Sequence, residues 1–323
     1  MTSVICTLFE EHYHYGVSAL TNSLYKQGFR GDIYAGYRGS LPSWVETTEL
    51  DNTLNWNDAT IFKVTENLQI HFLPLDTSYH LTNYKPDFML RLWSSIVINA
   101  DAMFYFDPDI VLVAPWNYFE EWVTCGIAVC EDIKSPLENF HPRRVGWRKH
   151  YIKYGIELNF KNSIYVNGGF LGICKSNIAF LEKWQLLQQY MAEQIGGLER
   201  SSITTHTKLP LSISTEFSPF GATDQDALNA TIEACNFDIS YMRKEAMALS
   251  LGGPILIPHA LGQPKPWQYS PFKSFFKGIA PRYVDKEFWA SVEFPIKAFS
   301  KIKFISMIYS MKFLSLLSRF YSK

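Results

Sequence analysis

Residues 104–112 read FYFDPDIVL, a strand-like apolar run that is interrupted by the acidic turn Asp107-Pro108-Asp109. One interpretation is that the run is a buried strand and that Asp-Pro-Asp is the polar turn where it surfaces. The other is that the two carboxylates converge on a divalent cation, because residues i and i+2 of an extended segment point to the same face. A second Asp-x-Asp, Asp224-Gln225-Asp226, occurs further along the chain. The acidic pair alone therefore does not decide between the two interpretations.

The composition is that of a folded protein without a global charge preference. The chain has 323 residues, of which 47% are apolar and 19% are charged, and its formal net charge is -1. This balance is typical of a globular protein with a sizeable core, and it offers no general attraction to nucleic acid. We therefore expect no nucleic-acid partner.

The cysteines and the first residues indicate the compartment. The five cysteines form no CxxC pair, and most of them lie in apolar stretches, which is typical of reduced thiols in a cytoplasmic protein. Residues 1–14, MTSVICTLFEEHYH, turn acidic and aromatic before the apolar region of a signal peptide develops. We therefore expect a cytoplasmic protein.

Strand-like and helix-like segments alternate along residues 1–270. The predicted strands are Val4–Leu8, Asp32–Tyr37, Leu68–Leu75, Ala102–Phe106, Ile110–Val113, Gly126–Cys130, Ile164–Ile173 and Ile255–Pro258. The predicted helices are Gly16–Gln27, Pro86–Ile98, Ser176–Gln194 and Thr223–Ala234. The alternation predicts one α/β domain over residues 1–270 with a mixed, mostly parallel sheet. Ligands of such sheets bind beyond the carboxyl ends of the strands, and Asp107 directly follows one of them.

Residues 271–323 form a basic, aromatic-rich tail. After Glu293 there is no acidic residue, while six basic residues alternate with apolar ones: Lys297, Lys301, Lys303, Lys312, Arg319 and Lys323. On a helical wheel at roughly 100° per residue, all of these except Lys303 fall within a sector of about 80°. Lys312 interrupts the longest apolar run well short of a membrane-spanning length. The pattern predicts an amphipathic helix on an anionic membrane surface at the inner face of the membrane; the alternative is a helix that docks on the domain or on a partner.

A second stretch whose residues could bind a ligand or take part in a reaction is HALGQPKPW, residues 259–267. His259 follows the strand-like sequence PILIP, and Lys265 follows a turn that contains Gly262 and Pro264. An imidazole suits a Mn²⁺-like ion that carboxylates already hold, and an ammonium suits an anionic diphosphate. The stretch therefore favours a metal and phosphate site over a structural histidine.

Two further stretches are polar interruptions of regular segments. In YVNGGFLGI, residues 165–173, Asn167-Gly168-Gly169 indicates either a close approach of ligand to backbone or a β-bulge. In ATDQDALNA, residues 222–230, a helix begins at Thr223 or Asp224. Capping would explain one aspartate there but not Gln225 and Asp226 as well, although first-turn acids also favour the helix dipole.

With these stretches in this order, residues 1–267 resemble the GT-A nucleotide-sugar glycosyltransferases. The resemblance is greatest to glycosyltransferase family 8, the group that includes glycogenin and bacterial lipopolysaccharide galactosyltransferases. Its most specific part is the pattern HxxGxxKPW at residues 259–267. It implies a Rossmann-like GT-A domain and a hexosyltransferase that uses a nucleotide-diphosphate donor, expected to be a UDP-hexose. It also implies a glycan or lipid-linked acceptor in cell-envelope polysaccharide synthesis, and retention of the anomeric configuration.

The resemblance implies roles for individual residues. Asp107, Asp109 and His259 would bind Mn²⁺ or Mg²⁺, while Lys265 and Gly262 would bind the donor diphosphate. Further positions would contact the rest of the donor or the acceptor: Thr7 and Leu8 at the nucleotide, Asn167, Gly168, Asp224 and Gln225 at the transferred sugar and acceptor, and Lys85 or Arg91 as the basic residue over the donor.

Two other functions compete with this hypothesis. One is a non-catalytic nucleotide or glycan binding protein on a degenerate GT-A fold. The other is a sugar-phosphate nucleotidyltransferase, a class that needs a glycine-rich phosphate loop straight after the first strand. The sequence LFEEHYHYG, residues 8–16, offers no glycine before Gly16, which argues against that class.

Overall fold

The computed structural model describes residues 1–203, 207–213, 215 and 217–320, and it has a mixed α/β fold with a nine-stranded sheet. The strands are β1 Ser3–Glu10, β2 Gly31–Arg38, β3 Glu49–Leu50, β4 Thr60–Thr65, β5 Leu68–Pro74, β6 Ala102–Phe106, β7 Ile127–Cys130, β8 Phe170–Cys174 and β9 Ile239–Met242. The α-helices are α1 His14–Lys26, α2 Lys85–Ser95, α3 Trp116–Thr124, α4 Pro142–Tyr151, α5 Ile178–Ile195, α6 Thr223–Ala234, α7 Pro271–Phe275, α8 Tyr283–Trp289 and α9 Lys301–Ser318. The predicted α/β class with a mixed sheet is confirmed.

The chain divides into two compact units. Unit 1 contains residues 1–8, 75–105 and 119–244, and unit 2 contains residues 9–74, 106–118 and 245–323. This division follows contacts between distant parts of the chain, whereas the predicted boundary at residue 270 followed composition. The boundary at residue 270 stays a prediction.

Unit 1 contains the strand order β1-β6-β8-β7-β9. β1 pairs with β6 in parallel, with Ser3 opposite Ala102, and β7 pairs with β9 in parallel, with Ile127 opposite Ile239. β7 and β8 are antiparallel. All five residues of β6 are buried, as expected of a strand covered on both faces.

Unit 2 contains the strand order β3-β4-β5-β2. β2 and β5 pair in parallel with Gly31 opposite Leu68, and β4 runs antiparallel to β5. Its second part is a core formed by α1, the segment after β6 and the C-terminal helices. The buried members of that core are Ala19, Val111, Trp267, Tyr269, Phe288, Trp289, Val292 and Met311.

Two predicted strands, Ile110–Val113 and Ile255–Pro258, are not strands in the structure. Both segments are extended and lie side by side: Val111 N donates to Pro258 O at 3.2 Å, and Val113 N donates to Leu256 O at 2.9 Å. The apolar pattern found the pairing, but the pairing is too short and irregular to form a ladder. The predicted strand Ile164–Ile173 is also shorter, because a turn at Gly168 and Gly169 precedes β8.

The basic tail contains a helix that docks on unit 2. Ser300 caps α9 by accepting a hydrogen bond from Lys303 N at 3.3 Å. Met311 and Leu314 of α9 are buried, and Phe304 packs against the unit 2 core. The predicted alternative, a helix that docks on the domain, therefore describes one side of α9. Lys323, the last of the six basic residues, lies outside the described residues. No helix of the described chain is long and apolar enough to cross a membrane.

Candidate metal and diphosphate site

The acidic turn after β6 packs closely against α1 at a glycine. Asp107 O accepts a hydrogen bond from Ile110 N at 3.1 Å, which closes the turn around Pro108. A Cβ atom added to Gly16 of α1 would lie only 2.1 Å from Pro108 O. Because every other residue type would place a Cβ atom there, only glycine at position 16 allows the turn with its two carboxylates to lie this close to α1.

His259 reaches the same place through backbone pairing. Ile110 and His259 form an isolated antiparallel bridge, and Ala260 N donates to Asp109 O at 3.0 Å. On its other side, His259 N donates to Met247 O at 3.0 Å. These bonds bring a residue 150 positions away in sequence to the acidic turn.

The three side chains form a compact cluster of metal-binding atoms. His259 Nε2 lies 3.2 Å from Asp109 Oδ1 and 3.9 Å from Asp107 Oδ2. One ligand atom from each of the three residues can be chosen so that all lie within 4.8 Å of one another. An octahedral ion with bonds of about 2.1 Å requires ligand spacings of about 3.0 to 4.2 Å, so a small contraction would suffice.

The type of donor atoms also fits a divalent cation. Two carboxylates and one imidazole are ligands that a divalent cation such as Mn²⁺ accepts, and the two carboxylates also suit Mg²⁺. His259 Nδ1 is buried and has no hydrogen-bond partner within the described ranges. Its Nε2 is therefore the ring nitrogen with polar neighbours, and those neighbours are the two carboxylates.

Lys265 completes this cluster. Its Nζ lies 2.5 Å from Asp109 Oδ2 and 3.0 Å from Ala260 O, and the residue is 7% exposed. The Tyr13 ring centroid lies 5.8 Å from the same ammonium. Gly262, in the turn before Lys265, has a left-handed φ of 74°, a conformation that favours glycine.

The opposite charges of Asp109 and Lys265 stabilise each other. Burial alone would raise the pKa of Asp109, but the Lys265 ammonium and His259 more than offset this and hold that pKa below its usual range. Burial alone would lower the pKa of Lys265, but the attraction of Asp109 raises it. Both groups are therefore charged at neutral pH.

A second cluster of predicted residues lies within unit 1. Lys85 Nζ donates to Gly168 O at 2.8 Å and lies 3.0 Å from Asp224 Oδ2. Gly168 N donates to Gln225 Oε1 at 3.0 Å. A Cβ atom added to Gly168 would lie 3.0 Å from Asp224 Oδ2. The Asn-Gly-Gly turn and the start of α6 therefore meet around one buried ammonium, whose neighbour is the ring of Tyr105 at 5.1 Å.

Asn167 holds the Gly-Gly turn in place. Its Nδ2 donates to Asp132 Oδ2 at 2.6 Å, and its Oδ1 accepts from Gly169 N at 2.8 Å. Asp226 has a different environment from Asp224: it is fully buried and accepts from Tyr165 Oη at 2.8 Å. Burial raises the pKa of Asp226 to about 6, against the lowering effect of Arg143.

The remaining predicted residues lie outside these two clusters. Thr7 and Leu8 are buried on β1, and within the described residues Thr7 Oγ1 has no hydrogen-bond partner. Arg91 is exposed on α2 and lines a pocket with Tyr84 and Glu182. Of the two basic candidates on α2, Lys85 is thus the one that contacts Asp224 and Gly168.

Several supporting residues were not predicted. Gly16, Tyr105 and Asp132 carried no motif of their own, because their roles depend on partners that are distant in sequence. The aromatic turn after β1 also has a partner distant in sequence: Trp267 Nε1 donates to His12 Nδ1 at 2.9 Å, and Tyr13 meets the Trp267 ring edge-on at 5.4 Å. The turn EHYHYG thus packs on the KPW motif.

The chain matches known proteins only at the level of solved structures. No protein-family model matches the chain, and no curated protein matches it. Among solved structures, the chain is similar to the galactosyltransferase LgtC in complex with donor and acceptor sugar analogues, with 13% identity, a TM-score of 0.46 and 95% of each chain covered. It is also similar to the bifunctional glycosyltransferase WbbM, with 13% identity and a TM-score of 0.46; the match covers 90% of this chain and 52% of WbbM.

An active-site mutant of LgtC gives a third match, with 13% identity, a TM-score of 0.45 and coverage of 82% of this chain and 89% of the other. LgtC and WbbM are described as a galactosyltransferase and a bifunctional glycosyltransferase, respectively. At this identity and these TM-scores, the site residues themselves must carry the assignment of function.

Proposed function

We propose that the chain is a metal-dependent glycosyltransferase that moves a hexose from a nucleotide-diphosphate donor to a glycan or lipid-linked acceptor. The observation that carries the proposal is the cluster of Asp107, Asp109 and His259, whose ligand atoms lie within 4.8 Å of one another, with the Lys265 ammonium 2.5 Å from Asp109. A divalent cation site beside a buried ammonium is suited to a diphosphate.

In the proposed reaction, the oxygen of an acceptor hydroxyl forms a bond to the anomeric carbon of the donor sugar, the bond from that carbon to the diphosphate oxygen breaks, and the hydroxyl proton passes to the departing diphosphate. The leaving group takes up negative charge as it departs. Lys265 would donate N–H bonds to a diphosphate oxygen and neutralise part of this charge. The cation, when bound, would supply Lewis-acid stabilisation of the same leaving group.

We further propose, from the sequence resemblance, that Asp224, Gln225, Asn167 and Gly168 act on the transferred sugar and acceptor. Their support in the structure is a rigid arrangement: Gln225 fixes Gly168 N, and Lys85 fixes both Gly168 O and Asp224. The donor is proposed to be a UDP-hexose, transferred with retention in cell-envelope polysaccharide synthesis. Thr7 and Leu8 are proposed to contact the nucleotide.

The test is a thermal-stability screen with UDP, GDP, CDP and ADP, each with Mn²⁺ and with EDTA. A ligand at a hundred times its dissociation constant should add about 2.7 kcal/mol to native stability. One nucleotide should stabilise the protein only with metal, and both Asp109→Asn and His259→Ala should lose this effect. The matched control is Asp76→Asn, because Asp76 is an exposed aspartate of unit 1 and lies outside the cluster; its response should equal that of the wild type.

Turnover separates the proposal from the binding-protein alternative. A transferase should release free nucleoside diphosphate from its donor, slowly with water as acceptor and faster with a suitable glycan. Metal-dependent nucleotide binding without any such release, across a panel of UDP-sugars and acceptors, would support the non-catalytic alternative. No stabilisation by any nucleotide with Mn²⁺ would refute the site itself.

We also propose that the exposed side of α9 rests on an anionic membrane surface. Ile302, Tyr309 and Phe313 of α9 are 83%, 66% and 54% exposed, although the opposite side of the helix is docked. The neighbouring helix α7 contacts α9 and is followed by Phe276, which is 84% exposed. With Lys301 and other lysines beside these apolar side chains, the surface is suited to an anionic bilayer.

Point variants test the membrane proposal better than truncation, because removing residues 296–323 would uncover the core that Met311 covers. Phe313→Ser combined with Lys301→Gln should reduce co-sedimentation with vesicles that contain anionic lipid, and leave transfer to a soluble acceptor unchanged. The matched control is Lys149→Gln, which removes an exposed lysine of α4. Equal sedimentation of all three proteins would contradict a membrane role for α9.

A further inference from the structure

We propose that Lys265 is a gate on the metal site. Its ammonium binds Asp109 until a diphosphate binds the ammonium in place of Asp109. The diphosphate thereby promotes the binding of a cation to Asp109. The inference rests on the proposed function and adds an order of events to it. It concerns competition between two cations, Lys265 and the metal ion, for one carboxylate.

The carboxylate of Asp109 is engaged on both oxygens. Oδ1 lies 3.2 Å from His259 Nε2, and Oδ2 lies 2.5 Å from Lys265 Nζ. Asp109 is itself 7% exposed, so this ion pair is shielded from water and salt. A divalent ion that uses Asp109 must therefore share the carboxylate with a positive charge already in contact with it. The contact weakens metal binding unless the ammonium is drawn elsewhere.

The ammonium can move while its backbone stays in place. Lys265 N donates to Gln263 Oε1 at 3.2 Å and to Gln268 Oε1 at 3.4 Å, which anchors the main chain of the loop. The side chain is a flexible four-carbon stem that ends in three N–H donors. Its acceptors Asp109 and Ala260 account for two of those donors. A diphosphate oxygen beside the cluster would offer the ammonium a stronger acceptor than a carbonyl, because both partners would be charged.

Thermodynamic linkage turns this arrangement into a measurable effect. If a diphosphate raises the affinity for the metal by some factor, the metal raises the affinity for the diphosphate by the same factor. A cation that bridges phosphate oxygens contributes such coupling without any gate. The distinguishing quantity is therefore the affinity for Mn²⁺ alone, measured without nucleotide, when the gate residue has been replaced.

The experiment measures Mn²⁺ binding to the full chain by electron paramagnetic resonance of the free ion, first without nucleotide and then with UDP. Lys265→Met keeps the apolar stem and removes the ammonium, so it should bind Mn²⁺ alone at least tenfold more tightly than the wild type. Lys265→Arg keeps the positive charge and should bind Mn²⁺ alone as weakly as the wild type. A residue that merely supports the loop would, when replaced, weaken Mn²⁺ binding or leave it unchanged.

The control for a general charge effect is Arg282→Met. Arg282 contacts the same loop through Pro264 O at 3.0 Å, but its ion pair is with Asp285, not with Asp109. This variant should bind Mn²⁺ alone within about twofold of the wild type, since its charge does not contact the carboxylate. An equal gain in Arg282→Met and Lys265→Met would overturn the gate.

The outcomes also separate the gate from the proposed function. If the wild type binds Mn²⁺ with UDP but Lys265→Met binds Mn²⁺ alone no more tightly than the wild type, the gate is refuted and the transferase site stands. If no protein binds Mn²⁺, with or without UDP, both are refuted. A cooperative thermal unfolding transition for each variant establishes that it is folded; if Lys265→Met fails that check, Lys265→Gln replaces it with the same expected tenfold gain.

Discussion

Gly16→Ala should damage the proposed metal site although the substitution adds a single methyl group in a helix. The added Cβ would lie 2.1 Å from Pro108 O and 2.8 Å from Pro108 C, whereas ordinary contacts of this kind are 3.4 to 4 Å. The obstructing atoms are backbone, and they belong to the turn between Asp107 and Asp109. Relief of the clash must therefore move the turn relative to α1 by an ångström or more, or displace the helix.

The magnitude follows from two opposing effects. Alanine is favoured over glycine inside a helix by roughly 0.5–1 kcal/mol. Overpacking in a closely packed region costs typically about 1–3 kcal/mol. Residues that form a binding site together tolerate displacements of only about 0.5 Å. We therefore expect a net loss of stability and a loss of Mn²⁺ affinity, in the presence of UDP, of at least about tenfold.

Denaturant titration measures the stability of Gly16→Ala, and electron paramagnetic resonance measures its Mn²⁺ binding. The matched control is Gly146→Ala in α4, where an added Cβ would lie 2.8 Å from Pro219 Cβ. That helix belongs to unit 1, so the control should lose stability and keep the Mn²⁺ affinity of the wild type. A Gly16→Ala protein with wild-type stability and wild-type Mn²⁺ affinity would refute the reasoning.

Two other predictions concern unit 1. Lys85→Met should lower the free energy of unfolding by about 3–5 kcal/mol, because it leaves the carboxylate of Asp224 buried without the Lys85 ammonium. Urea titration measures this loss. It should show a much smaller loss for Arg91→Met, because Arg91 is an exposed residue of the same helix. The pKa of Asp226 is raised to about 6, so between about pH 4 and pH 6 the folded state holds a proton that the unfolded chain has released. This group's contribution to stability therefore falls as pH rises through that window, and Asp226→Asn should lose this slope; an unchanged slope would show that Asp226 is ionised throughout.

Much of the local structure could be predicted because it depends on residues close together in the chain. β6 and α6 have the predicted bounds, since a run of apolar residues and a helix beginning at Thr223 are local signals. The predictions failed for Ile110–Val113 and Ile255–Pro258. Apolar runs there identified extended, buried backbone, but a strand also needs a neighbour that stays in register, and that neighbour is not written in the run itself.

The candidate site was predictable in its residue types and not in its contacts. The Asp-Pro-Asp turn and the HxxGxxKPW pattern named the residues of the proposed metal site, because divalent cations and diphosphates require particular donor atoms wherever they bind. The choice between Lys85 and Arg91 was not available from sequence. Both lie on α2, and only the packing of α2 in unit 1 buries one of them against Asp224.

The sequence by itself determined the alternation of strands and helices, the acidic turn after β6 and the basic character of the tail. Only the tertiary structure decided that Lys265 contacts Asp109, that the turn packs against Gly16, and that one side of α9 is buried. The physical reason is the range of the interactions. Propensity, periodicity and turn chemistry act between near neighbours, whereas these contacts join residues far apart in sequence and exist only once the core has packed.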